Sequence, residues 1–96
     1  MKSIREEKRV TIARDAAEVR WERAMDSWEA ITWVILHDET CGSALSESGN
    51  VRGYIFDGAR SVNMPSLAVI YEITDEYIIV RDAEFYEAPY GQAGRA

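Results

Sequence analysis

The sequence predicts an α+β domain: an N-terminal helix or kinked helix pair over residues 15–38, packed on a roughly four-stranded antiparallel hairpin sheet. Three observations carry this. Residues 67–73 read LAVIYEI. Leu67, Val69, Tyr71 and Ile73 fall on one face of an alternating strand, and Ala68, Ile70 and Glu72 fall on the other. After the polar turn Thr74, Asp75, Glu76, residues 77–86 begin a second β-rich run, the pattern of a hairpin. Upstream, Val19, Trp21, Ala24, Met25, Trp28, Ile31, Ile35 and Leu36 recur at steps near three and four, which is an amphipathic helix. Helix first and strands afterwards is the order of an α+β fold, with the helical layer on one sheet face.

In chain order, residues 1–14 are a charged arm: residues 1–9 read as frayed or as the start of a helix, and residues 10–12 as a brief edge strand or a helical continuation. Asp15, with Glu18 three residues later, gives a capping-box-like helix start. Asp26 and Ser27 are good caps and mark a place to split the helix in two. The three tryptophans, with Trp33 near the boundary, read as core. Gly42 suits the helix C-terminus. Residues 43–50 form a loop anchored by Leu45. Residues 51–56 read as a strand, Asp57 and Gly58 as a hairpin turn, and residues 59–63 as its returning partner. Pro65 breaks the run. Residues 15–87 thus make one domain, and residues 88–96 (APYGQAGRA) read as a disordered tail.

The 96 residues carry a formal charge of −6, unevenly placed. Residues 1–23 hold seven Lys/Arg against five Asp/Glu, while residues 24–96 hold four against twelve. Such an acidic body argues against general nucleic-acid binding. Cys41 is the single cysteine, which fits a reducing compartment. No apolar run approaches membrane-span length and the N-terminus lacks the apolar stretch of a signal peptide, so a cytoplasmic location is expected.

Little in the sequence suggests catalysis directly. His37 is the lone histidine, placed for capping near a helix end. His37, Asp38, Glu39 and Cys41 are metal-capable types, but without a second cluster they do not make a zinc spacing. The glycines form no phosphate-binding loop. Neither metal nor cofactor is expected.

Residues 28–33 (WEAITW), 37–42 (HDETCG) with Leu45, 58–61 (GARS) and 64–73 (MPSLAVIYEI) resemble the RelE/ParE toxin superfamily. Its members have a helical pair, a loop with an acidic residue and a glycine before a leucine, then a hairpin sheet. The resemblance covers residues 15–86. It implies a toxin-like component of a toxin–antitoxin pair, partnered by an antitoxin and acting on ribosome-bound mRNA or on DNA gyrase. The RelE ribonuclease set of cations and a tyrosine would correspond to Arg60, Arg81 and Tyr86, with Arg52, Tyr71 and Glu84 as binding residues. The chain departs from the family in carrying Ala68 where an arginine is common on the middle strand. It also surrounds Arg81 and Tyr86 with Asp82, Glu84 and Glu87, which oppose a phosphate. Protein binding, or a diverged relative that keeps the toxin fold without toxin activity, is therefore expected over weak mRNA cleavage. The alternative from charge alone is a small acidic inhibitor, phage- or plasmid-borne, that occupies a basic surface on its partner. A homodimer is compatible with either reading. Whether Arg52, Arg60 and Arg81 share a face depends on strand order.

Overall fold

The computed structural model describes residues 2–89. It is an α+β fold with two helices on one face of a five-stranded sheet. The elements run β1 (Ser3–Glu6), α1 (Lys8–Arg20), α2 (Ala24–His37), β2 (Ser43–Ala44), β3 (Val51–Phe56), β4 (Ser66–Ile73) and β5 (Tyr77–Tyr86). The sheet order is β1-β5-β4-β3-β2, antiparallel except that β1 runs parallel to β5.

The strand pattern read from residues 67–73 is the one that forms. Leu67, Val69 and Tyr71 are buried, and β4 has β3 on one side and β5 on the other. Thr74 closes the hairpin to β5: its N–H and hydroxyl both donate to the Tyr77 carbonyl, at 2.9 and 2.8 Å. Between Ile70 and Tyr71 the register slips, because Asp82 faces Ile70 while Val80 faces Tyr71. Arg81 is the extra residue of this β-bulge.

Of the charged arm, residues 8–14 are helical, which was the alternative to fraying, and residues 3–6 are extended. Ile4 and Glu6 turn inward and Ser3 and Arg5 outward, so residues 3–6 make a fifth strand against β5. Ile4 packs on the core. Glu6, a charged group at an inward position, is answered by the Thr11 hydroxyl at 2.5 Å and by the Arg14 guanidinium at 2.9 Å.

Helix α1 begins at Lys8, not at Asp15, which lies exposed in its middle. Glu7 occupies the capping position with extended backbone, and its side chain is used elsewhere. The chain breaks at Trp21, Glu22 and Arg23 rather than at Asp26 and Ser27. Trp21 is buried with Ala17, Ala24 and Phe85 in a small satellite core, and its backbone is extended there. Beyond the turn, Arg14 of α1 meets Met25 Sδ at 3.6 Å and the ring of Trp28 at 4.7 Å, so the helices pack as a hairpin.

On α2 the buried stripe is Ala24, Ser27, Trp28, Ile31 and Ile35, spaced at three and four. Ser27 donates to the Pro65 carbonyl at 2.7 Å, tying the helix to the start of β4. The main core joins Val10, Trp28, Ile31 and Ile35 to Leu67, Val69, Tyr71, Ile78 and Val80. Val19 (90 % exposed) and Trp33 (61 % exposed) lie outside it. Trp33 instead stacks on His37, ring centroids 3.9 Å apart.

Residues 59–63 do not form the strand that Asp57 and Gly58 suggest. Ala59 and Met64 form an isolated bridge around a short 3-10 turn, Arg60–Val62, closed by Asn63 in the left-handed region. A Cβ on Gly58 would collide with the carbonyls of Met64 and Pro65, so the chain doubles back too tightly for a second strand. The partner of β3 is β4 instead. Ala88, expected in the tail, is buried; residues 90–96 lie outside the described residues.

Candidate binding surface

The strand order answers the convergence question. Facing pairs put Arg52 and Tyr71 on the helix-covered side of the sheet. They put Ile55, Ala68 and Glu84 in one row on the other side, and Ser43, Gly53, Ile70 and Asp82 in the next. Arg52 therefore lies on the covered side and Arg81, paired with Glu72, on the open side, while Arg60 lies off the sheet on the 3-10 turn and pairs with Glu87, so the three do not converge.

Tyr71 anchors the covered side. Its hydroxyl donates to the Glu39 carbonyl at 2.8 Å and accepts the Gly42 N–H at 3.1 Å, with Cys41 Sγ at 3.8 Å. Burial pushes the phenol up to about 12, opposed in part by the Gly42 hydrogen bond. Gly42 is no helix cap: α2 ends at His37, and Gly42 is buried where a Cβ would lie 2.5 Å from the Gly53 carbonyl oxygen. Arg52 clamps the same loop, donating to the carbonyls of Gly42 at 2.7 Å, Gly49 at 2.8 Å and Thr40 at 3.3 Å. Its guanidinium is spent on backbone oxygens. The Tyr71–Arg52 pair is a structural node that pins residues 39–50 to the sheet.

Arg81 faces the other side. It pairs with Glu7 at 2.8 Å and, more closely, with Glu72. The Glu72 hydrogen bond, helped by Glu7, holds the guanidinium above its ordinary range. Arg60, on the 3-10 turn, pairs with Glu87 at 3.5 Å and donates to the Ala88 carbonyl at 3.4 Å. Tyr86 ends β5 opposite Ser66, five residues from Arg81 and so about 15 Å along the strand. Arg60 and Tyr86 share one end of the sheet, whereas Arg81 reaches back toward Glu7 and Glu72. Two cations that already hold carboxylates, at separate places, make a poor phosphate clamp.

His37 and Cys41 also have separate partners. The His37 Nδ1 lies 2.8 Å from the Trp33 carbonyl oxygen, and Cys41 points to Tyr71. Among the described residues no three of His, Cys, Asp or Glu gather in a way that would hold a metal ion. No helix among them is long and apolar enough to cross a membrane.

What the sequence reading did not isolate is a trough on the uncovered face. Small side chains at Gly53 and Ala68 leave it low between Leu45 and Ile55 on one side and Ile70 on the other. The hollow measures about 560 Å³ and adjoins a second of about 360 Å³, lined by Ala68, Ile70, Asp82 and Glu84. Ile55, Leu45 and Ile70 are 58 %, 57 % and 39 % exposed. The alternation of β4 and the pairing of β3 with β4 together locate it, but the Asp57-Gly58 signal pairs residues 51–56 with residues 59–63 instead.

Comparison with protein-family models, curated proteins and solved structures returns no match.

Proposed function

We propose that this chain is a RelE/ParE-like toxin-type protein, or a non-toxic relative, that works in the cytoplasm by binding a protein rather than by cleaving mRNA. The observation that carries the second half is the dispersal of Arg60, Arg81 and Tyr86, with Glu87, Glu72 and Glu7 already paired to the two arginines. Phosphodiester cleavage needs converging donors free to meet developing charge. The first half rests on sequence resemblance, supported by element order: a helical pair, a loop carrying Asp38 and Glu39 before Gly42 and Leu45, then the hairpin sheet. The partner on this reading is a cognate antitoxin or a protein target such as gyrase.

Induced expression in a bacterial host tests it. The expected result is growth arrest with mRNA intact on translating ribosomes, unchanged in Arg60→Ala and Tyr86→Phe. Ribosome-dependent cleavage abolished by those substitutions would overturn the binding reading. Normal growth would remove the toxin and leave the non-toxic relative.

The −8 balance of residues 24–96 favours a second reading, an acidic inhibitor that occupies a basic surface. Its complex should weaken steeply with salt.

A further inference from the structure

We propose that the uncovered sheet face seats an amphipathic basic helix of a partner protein, its apolar side chains in the trough between Leu45, Ile55 and Ile70 and its Lys/Arg against Asp82 and Glu84. This rests on the protein-binding reading above and adds where binding occurs and what chemistry is recognised.

Charge complementarity carries it. The face has two ends. At one, Glu72 and Glu7 are paired with Arg81, and Arg5 lies 4.0 Å over the ring of Tyr77. At the other, Asp82 is exposed and accepts a single hydrogen bond, from the neighbouring Ala83 N–H at 3.0 Å. Glu84 is exposed and has no hydrogen bond or ion pair among the described residues. Two carboxylates without a counter-cation therefore border an exposed apolar strip, through the rows Ile55–Ala68–Glu84 and Gly53–Ile70–Asp82. That pairing of surfaces matches apolar and cationic side chains on one ligand.

Scale agrees with chemistry. From β3 to β5 is two strand spacings, about 10 Å, which is close to the width of one helix with its side chains. A helix on a sheet face is also how this fold covers its other side. An acidic or purely apolar helix would leave Asp82 and Glu84 facing like charge or oil.

The probe is a labelled helical peptide of leucine and lysine patterned on one face, with a leucine–glutamate peptide as control, titrated into the full chain. The expected result is binding by the lysine peptide alone, with amide shifts confined to strands β3, β4 and β5 and residues 43–45. Asp82→Lys with Glu84→Lys should weaken it at least about tenfold at low salt, and less at high salt. Ile70→Asp should weaken it comparably, while Glu18→Lys, on the exposed side of α1, should not. Equal weakening by Glu18→Lys would reduce the binding to general acidity and overturn the proposal. So would binding of the glutamate peptide, or self-association abolished by Ile70→Asp, which would make a second copy the occupant. Growth arrest that persists with Asp82→Lys and Glu84→Lys in place would reject this face while leaving the protein-binding reading intact.

Discussion

The two faces of one sheet differ in how their side chains are used. On the covered face every buried side-chain polar atom described has a partner, and the apolar groups are closed off by α1 and α2. On the open face, a few ångströms away through the same strands, isoleucines stand in solvent and two carboxylates lack cations. Residues of β4 alternate between these regimes one by one. The covered face is settled by folding, since its groups satisfy each other. The open face is chemically unfinished, so a partner has more to offer it.

Truncating neighbouring side chains of β4 separates the two faces most strongly. Leu67 is fully buried on the covered face, and Leu67→Ala should cost about 2–5 kcal/mol in denaturant unfolding. Ile70→Ala, three residues on but facing out, should cost only about 0.5 kcal/mol. Equal losses would mean that the open face is packed in solution, and the contrast would fail.

Next in size is the Tyr71 node. Tyr71→Phe keeps the ring but strips the donor to Glu39 and the acceptor of the buried Gly42 N–H, at about 1–3 kcal/mol. Gly42→Ala should cost a similar amount, about 1–3 kcal/mol, because the added methyl meets the Gly53 backbone rather than a side chain that can swing away. The phenol also gives a pH signature. Its folded value, about 12, lies above the ordinary 10, so the fold favours the neutral form. That preference is fully present below pH 10 and is lost as pH rises through 12. Unfolding midpoints measured between pH 9 and 12 should fall more steeply in the wild type than in Tyr71→Phe; parallel curves would show that another group governs alkaline stability.

These effects also mark what could be read from the sequence. The strands at residues 67–73 and 77–86 were legible because one buried face forces strict alternation, and the α2 stripe was legible for the same reason in helical period. Strand β1 was hidden because its inward Glu6 is charged; only Thr11 and Arg14, brought in by the next helix, make that position tolerable. The Asp57-Gly58 signal pointed to a hairpin, yet tight packing of Gly58 on Met64 and Pro65 turned the return into a 3-10 turn. Trp21 looked like one more member of a continuous stripe, and burial on Phe85 instead ended the helix there. The candidate residues suffered most. Arg52, Arg60 and Arg81 are far apart in sequence, and only the strand order shows that they serve three different places. Tyr71 reads from the sequence as a binding residue, whereas in the fold its hydroxyl holds the loop at residues 39–42.

The smallest expected effect concerns the end of the open face that is already complete. Arg81 links Glu7, where β1 leaves the sheet, to Glu72 on β4 across the β5 bulge. Both pairs are partly exposed, so their worth is limited and screened by salt. Because Glu72 and Glu7 hold the guanidinium above an already high value, it stays charged as the solution is made alkaline, and raising the pH is not the lever. Salt is. Arg81→Ala should lower the melting temperature slightly at low ionic strength, with most of the difference gone at about 1 M salt, where the screening length is about 3 Å. Amide exchange in β1 should quicken in the variant, since β1 is an edge strand of four residues that loses a tie to β4. A salt-independent loss, or unchanged exchange in β1, would show that Arg81 acts through the packing of its stem on the bulge rather than through its two carboxylates.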